Sequence, residues 1–201
     1  EKAVEVGQLD LMMLDILAQR ANKPLHRFMG ATKDWAQAYK GGGSLLMEDD
    51  ELVEDMVRYV EEGYTTVKFK VGSNDGTDME RDLRRIEKVR KAVGDKIGVA
   101  VDCNQFAKLC EPYQLAWLEE PIHSHNMNGI RRLKEMGVKI PIAFGESMRI
   151  YYEYETYIEK GVDHVQPSVG RMTRMDDLIR IRDLAREKGV KFTSGGRIYL
   201  N

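Results

Sequence analysis

The apolar positions of the chain fall into two alternating periods. Short runs with every second residue apolar, or apolar throughout, are separated by longer stretches with apolar residues three and four apart, the signatures of strands and of one-faced helices. Residues 7–20 place Leu9, Met12, Met13, Ile16 and Leu17 on one side of a helix, and Asn22-Lys23-Pro24 ends it. A connector through Met29-Gly30 leads to a strand expected over residues 36–39. Gly41-Gly42-Gly43 follows and reads as a flexible loop. Beyond the acidic cap Glu48-Asp49-Asp50, a helix carries Leu52, Val53, Met56, Val57 and Val60 on one face. The strand 67–71 comes next, then a helix over 80–93 with Leu83, Ile86, Val89 and Val93 inward. Further strands are expected at 97–102, 115–119, 141–145, 162–167 and 191–194. Between them lie a short helical piece ending at Glu111-Pro112 and helices near 129–136, 151–160 and 175–188. Repeated strand-helix units imply a parallel sheet with helices outside, which a doubly wound open sheet and a closed barrel both satisfy. No G-x-G-x-x-G follows a strand, and the glycine triplet lacks the lysine and hydroxyl of a P-loop.

Within this pattern the strand Val67-Lys68-Phe69-Lys70-Val71 is unusual. Val67, Phe69 and Val71 point one way and Lys68 and Lys70 the other, so two ammonium groups share one face. Folding alone gives no reason for such a pair. It fits either an edge strand protected from aggregation or a general base whose neutral form is favoured by a neighbouring cation. The next three strands each deliver a carboxylate at their carboxyl end: Asp102, Glu119 (followed by Glu120-Pro121) and Glu146. Singly, Asp102 or Glu146 reads as an ordinary acid at a helix start. Three in succession converge on the face where barrel enzymes keep their active site, and they repel unless a cation neutralises them. All-oxygen carboxylate donors suit a hard divalent ion, Mg²⁺ first.

Composition narrows the classes. A 201-residue chain with 42% hydrophobic and 32% charged residues is ordinary for a soluble globular protein, and a net charge of −2 speaks against a nucleic-acid surface. No apolar run approaches the roughly 20 residues needed to span a bilayer. Cys103 and Cys110 lack metal-type spacing, which fits a reduced, cytoplasmic setting.

Taken in order, Lys68-Phe69-Lys70, Val101-Asp102-Cys103-Asn104, Trp117-Leu118-Glu119-Glu120-Pro121, Gly145-Glu146-Ser147 and Val165-Gln166-Pro167 resemble the enolase superfamily, in its mandelate racemase and muconate lactonizing branch. The lead-in Leu9-Asp10 through Pro24-Leu25 to Met29-Gly30 is similar too. The resemblance implies a (β/α)7β-type TIM barrel, incomplete in this chain. Residues 1–34 would be the lead-in helix and connector from a capping domain, and residues 35–201 the first seven strands. It also implies a Mg²⁺ enzyme that removes the proton α to a carboxylate through an enediolate. Asp102, Glu119 and Glu146 would bind the metal and Lys70 would be the base. Lys68 would favour the neutral form of Lys70 and contact the substrate carboxylate, and Asn104 would bind near metal or substrate. Ser168 and Gly195 stand where the family places an aspartate or lysine and a histidine across the barrel, leaving Ser168 as a substrate contact only. A single base favours dehydration of a sugar acid. A racemase, epimerase or cycloisomerase is the alternative within the same chemistry, and a non-catalytic ligand-binding barrel, a family member that has lost turnover, is the alternative of a different class. A homo-oligomer with a small carboxylate substrate and no membrane or nucleic-acid partner is expected. The short span from Asp102 to Glu119, and the stop just past the seventh strand, suggest residues missing after Gln105 and beyond Asn201. His164 reads as a core histidine, His123 and His125 as loop residues, and Arg149, Arg171 and Arg174 as charged helix starts.

Overall fold

The computed structural model describes residues 2–102 and 107–194. Its helices are α1 (Lys2–Arg20), α2 (Leu25–Phe28), α3 (Asp49–Glu61), α4 (Ser73–Gly76), α5 (Met79–Val93), α6 (Met127–Glu135), α7 (Tyr151–Glu159) and α8 (Met175–Glu187). Between them run β1 (Lys40–Gly41), β2 (Thr66–Lys70), β3 (Gly98–Asp102), β4 (Trp117–Glu119), β5 (Ile142–Phe144), β6 (His164–Val165) and β7 (Lys191–Phe192). Two 3-10 turns cover Ala107–Tyr113 and Val169–Arg171. The strands form one sheet in the order β1 to β7, and β1 to β5 pair in parallel. That is the sequential order of a (β/α) barrel, and it removes the doubly wound alternative, whose order reverses at a switch point.

By internal contacts the chain divides into two compact units. One comprises Ala38–Ala143 and Lys160–His164. Here the period of two in β2 is realised as expected: Val67, Phe69 and Val71 are buried, and Lys68 and Lys70 face the other way. β2 lies between β1 and β3, so it is no edge strand and the anti-aggregation reading of its lysines fails. Leu52, Met56 and Tyr59 of α3 and Ile86 and Val89 of α5 are buried on the helix side. In α5, Leu83 and Val93 stay half-buried while Asp82 and Arg85 are fully buried. Both are tied largely to backbone, although Arg85 Nε has no hydrogen-bond partner among the described residues. Asp82 accepts from the N–H groups of Gly72 (2.8 Å) and Ser73 and from the Ser73 hydroxyl (2.7 Å), fixing the turn after β2. Arg85 donates to the carbonyls of Met47 and Ser44.

The strand expected at 36–39 forms instead at Lys40–Gly41, and the glycine triplet is no free loop. Gly42 donates its N–H to the Lys68 carbonyl (2.9 Å), and Lys70 donates to that of Gly43 (3.2 Å). Glycine is required there. Gly43 has φ +66°, and a Cβ on it would lie 2.5 Å from Leu52 and 2.7 Å from Phe69. Among the described residues, the crossover from β3 to β4 carries a 3-10 turn, in keeping with its short length.

The other unit comprises Glu1–Gln37, Phe144–Glu159 and Val165–Asn201. Phe144 stacks on Tyr157 at 5.3 Å, and Tyr154 donates its hydroxyl to the Gly145 carbonyl at 2.8 Å. Gln166 donates its N–H to Phe144 and Thr193 to Val165, continuing the strand ladder. Asp10 of α1 accepts the Met175 N–H at 2.6 Å and so caps α8. α1 passes so close to the second 3-10 turn that a Cβ on Gly7 would lie 1.7 Å from the Met172 carbonyl oxygen. The helix forms as the periodicity predicts, but Leu9, Met12, Met13, Ile16 and Leu17 are exposed to solvent, while Gly7 and Ala18 are buried.

Candidate active site

Strand register decides what stands beside what. Lys70 pairs with Asp102, and Asp102 pairs with Glu119, so base candidate and two carboxylates form one row across the ends of β2, β3 and β4. Paired residues of parallel strands project to the same face. The row beneath is Lys68, Ala100 and Trp117. Alanines at 100 and 143 leave room for the Trp117 indole, which Tyr39 and His164 meet edge-on at 5.3 and 5.0 Å. His164 is therefore a core histidine, as expected from its parity. His123 and His125 are exposed loop residues.

Lys68 reaches up from the lower row and places its Nζ 2.5 Å from Glu119 Oε1, with the two side chains only 16% and 6% exposed. The second oxygen of Glu119 lies 3.5 Å from the Trp117 indole N–H, the long limit of a hydrogen bond. Burial works against the charge of Lys68. The Glu119 carboxylate, with Asp102 further off, outweighs it and holds the Lys68 pKa above the ordinary lysine range. Lys70, two residues on, is exposed at the row above.

Glu146 follows Gly145 at the end of β5 and is half-exposed. Arg171 donates Nη1 to its Oε1 (3.2 Å) and to its backbone carbonyl (3.3 Å). Gly145 has φ +142°, and a Cβ there would lie 2.9 Å from the Gln166 backbone, so the residue before Glu146 has to be glycine. Ser168 is buried, and its carbonyl accepts from Arg171 and Met172 to start the turn. Asn104 and Gly195 lie outside the described residues. Arg149 donates to the carbonyls of Ser147 and Met148, and Arg174 pairs with Asp176, so both serve local structure.

The sequence does not assign Trp117 or Gln166 a role in the site. Trp117 shares strand parity with Glu119, which could have signalled it. The buried Gln166 amide has no hydrogen-bond partner among the described residues, and in the sequence it stands out only as part of Val165-Gln166-Pro167.

Among the described residues, no three His, Cys, Asp or Glu side chains are gathered as a metal ion's donor set. The donor chemistry nevertheless fits a hard divalent cation. Glu119 and Glu146 each already carry a cation drawn from the chain, Lys68 and Arg171, and Asp102 lends its charge to the same lysine. These carboxylates are set up to meet positive charge.

Residues 51–199 match the family model described as enolase C-terminal domain-like. The chain belongs to that family. Among its relatives is the L-talarate/galactarate dehydratase of Salmonella typhimurium, 32% identical over 197 residues, covering 92% of this chain and 48% of that protein. Another is the 3,6-anhydro-alpha-L-galactonate cycloisomerase of Streptomyces coelicolor, 25% identical over 95% of this chain and 55% of its own length. A crystal structure of L-talarate dehydratase from Polaromonas sp. JS666, complexed with Mg and L-glucarate, superposes with a TM-score of 0.86. It is 27% identical and covers 97% of this chain and 56% of that one. This enolase-family chain thus spans about half the length of the relatives it matches. Both named activities, a lyase and an isomerase, act within the mandelate racemase and muconate lactonizing branch that the motifs resemble.

Proposed function

We propose that this chain is the barrel portion of a Mg²⁺-dependent acid-sugar dehydratase that removes the proton α to a carboxylate. The observation that carries the reading is the row Lys70–Asp102–Glu119, which sets an exposed amine beside two carboxylates at the ends of adjacent parallel strands. Asp102, Glu119 and Glu146 would hold the metal, which when bound supplies positive charge to the substrate carboxylate and to the enediolate that forms from it. Lys70 takes the α-proton at Nζ, and Lys68 binds the substrate carboxylate. Asn104 and Ser168 hydrogen-bond substrate hydroxyls. The β-hydroxyl then leaves, so that the α-proton and the hydroxyl depart as one water, and the enol ketonises to a 2-keto acid. The likeness to a dehydratase whose crystal structure holds Mg and a sugar diacid supports this substrate class. Ser168, a hydroxyl where a second base would be needed, supports elimination over racemisation.

Incubation with a panel of sugar acids in D₂O tests the reading. A 2-keto acid should appear with one substrate class, and Lys70→Met should abolish both product and α-proton exchange. Product formation that survives Lys70→Met removes Lys70 as the base, and exchange without product points to the isomerase alternative.

A further inference from the structure

Both oxygens of Glu119 are engaged before any metal is considered. Oε1 holds the Lys68 ammonium at 2.5 Å and Oε2 faces the Trp117 N–H. A buried carboxylate stripped of its cation is costly, so the ammonium is a requirement of the metal-free fold and not an incidental contact. On one carboxylate oxygen a lysine and a hard divalent ion compete, because two cations brought that close in a poorly screened site repel strongly. Lysine is suited to a reversible role: its compact charge sits on a four-carbon stem that can swing away.

Building on Glu119 as a metal ligand, we propose that Lys68 is a resident counter-ion, which a divalent cation displaces from Glu119 and thereby releases to bind the substrate carboxylate. Metal loading and substrate binding are then ordered, metal first, by one side chain. Arg171 on Glu146 makes the instructive contrast. That pair is 44% and 48% exposed, where water screens the charges and competition is weak.

Calorimetric titration with Mg²⁺ tests the exchange without any turnover. Lys68→Met and Lys68→Gln should each bind Mg²⁺ about tenfold tighter than the unsubstituted chain, whereas Arg171→Met should shift affinity less than about threefold. In the unsubstituted chain, Mg²⁺ should speed reductive methylation of Lys68, followed by peptide mass spectrometry. This second readout decides the matter even if the lysine variants fold poorly. Unchanged or weaker Mg²⁺ affinity in both lysine variants, or methylation of Lys68 that Mg²⁺ leaves alone, overturns the counter-ion role while the metal site stands. Absence of Mg²⁺ binding in every form overturns the metal reading and the exchange together.

Discussion

Lys68 and Lys70 stand two residues apart on one strand and one face, yet they occupy different surroundings. The upper lysine is exposed in the row of carboxylates. The lower one is enclosed between Glu119 and the Trp117 layer. Burial decides what each ion pair is worth. In metal-free protein, Glu119→Gln strands the Lys68 ammonium in a dry site and should cost about 3–5 kcal/mol in urea unfolding. Glu146→Gln breaks only the half-exposed pair with Arg171 and should cost less than about 1 kcal/mol. Cys110 supplies a separate test of burial. Its thiol is inaccessible, and burial, with Asp82 adding to it, pushes its pKa from 9.0 up to about 12. The folded chain therefore keeps a proton that the unfolded chain loses first. This contribution is complete below pH 9 and fades as pH rises towards 12, at roughly 1.4 kcal/mol per pH unit. Cys110→Ala should remove that part of the alkaline slope, measured as the difference in urea midpoint between the two proteins across the range.

Elements were legible where side chains carried the pattern and hidden where backbone did. The longer helices and β2 to β7 follow apolar periodicity, and their positions agree with it to within about five residues at each end, whereas the single-turn helices α2 and α4 fall where a connector and a turn are expected. β1 does not, because Gly41, Gly42 and Gly43 pair through N–H and carbonyl groups alone and present no side chains to read. Asp82 and Arg85 are a second case: they look like solvent-facing charges on α5, and only tertiary partners make them interior. Close approach is equally invisible. The contact of α1 with the turn at Val169–Arg171 depends on Gly7 lacking a side chain. Gly7→Ala would otherwise be a favourable helix substitution, yet it should destabilise by about 1–3 kcal/mol, because backbone has to move to admit the methyl. Thermal unfolding of the single variant checks the sign.

For the molecule as a whole, strand order was the missing piece. Alternation of strand and helix fits two architectures, and only the pairing of each strand with its sequence neighbours selects the barrel order. The charged residues of the candidate site were legible because Lys70, Asp102 and Glu119 end readable strands, Lys68 shares the face of Lys70 in β2, and Glu146 follows β5 by two residues. Its own-chain cations were not legible as such, since the pairing of Lys68 with Glu119 spans 51 positions and follows from register. Sequential pairing has a consequence in time as well as in space. From β1 to β5 every ladder joins strands separated by one connection, so each loop closure spans a single crossover. On a ribosome, each strand from β2 to β5 would find the strand it pairs with already emerged.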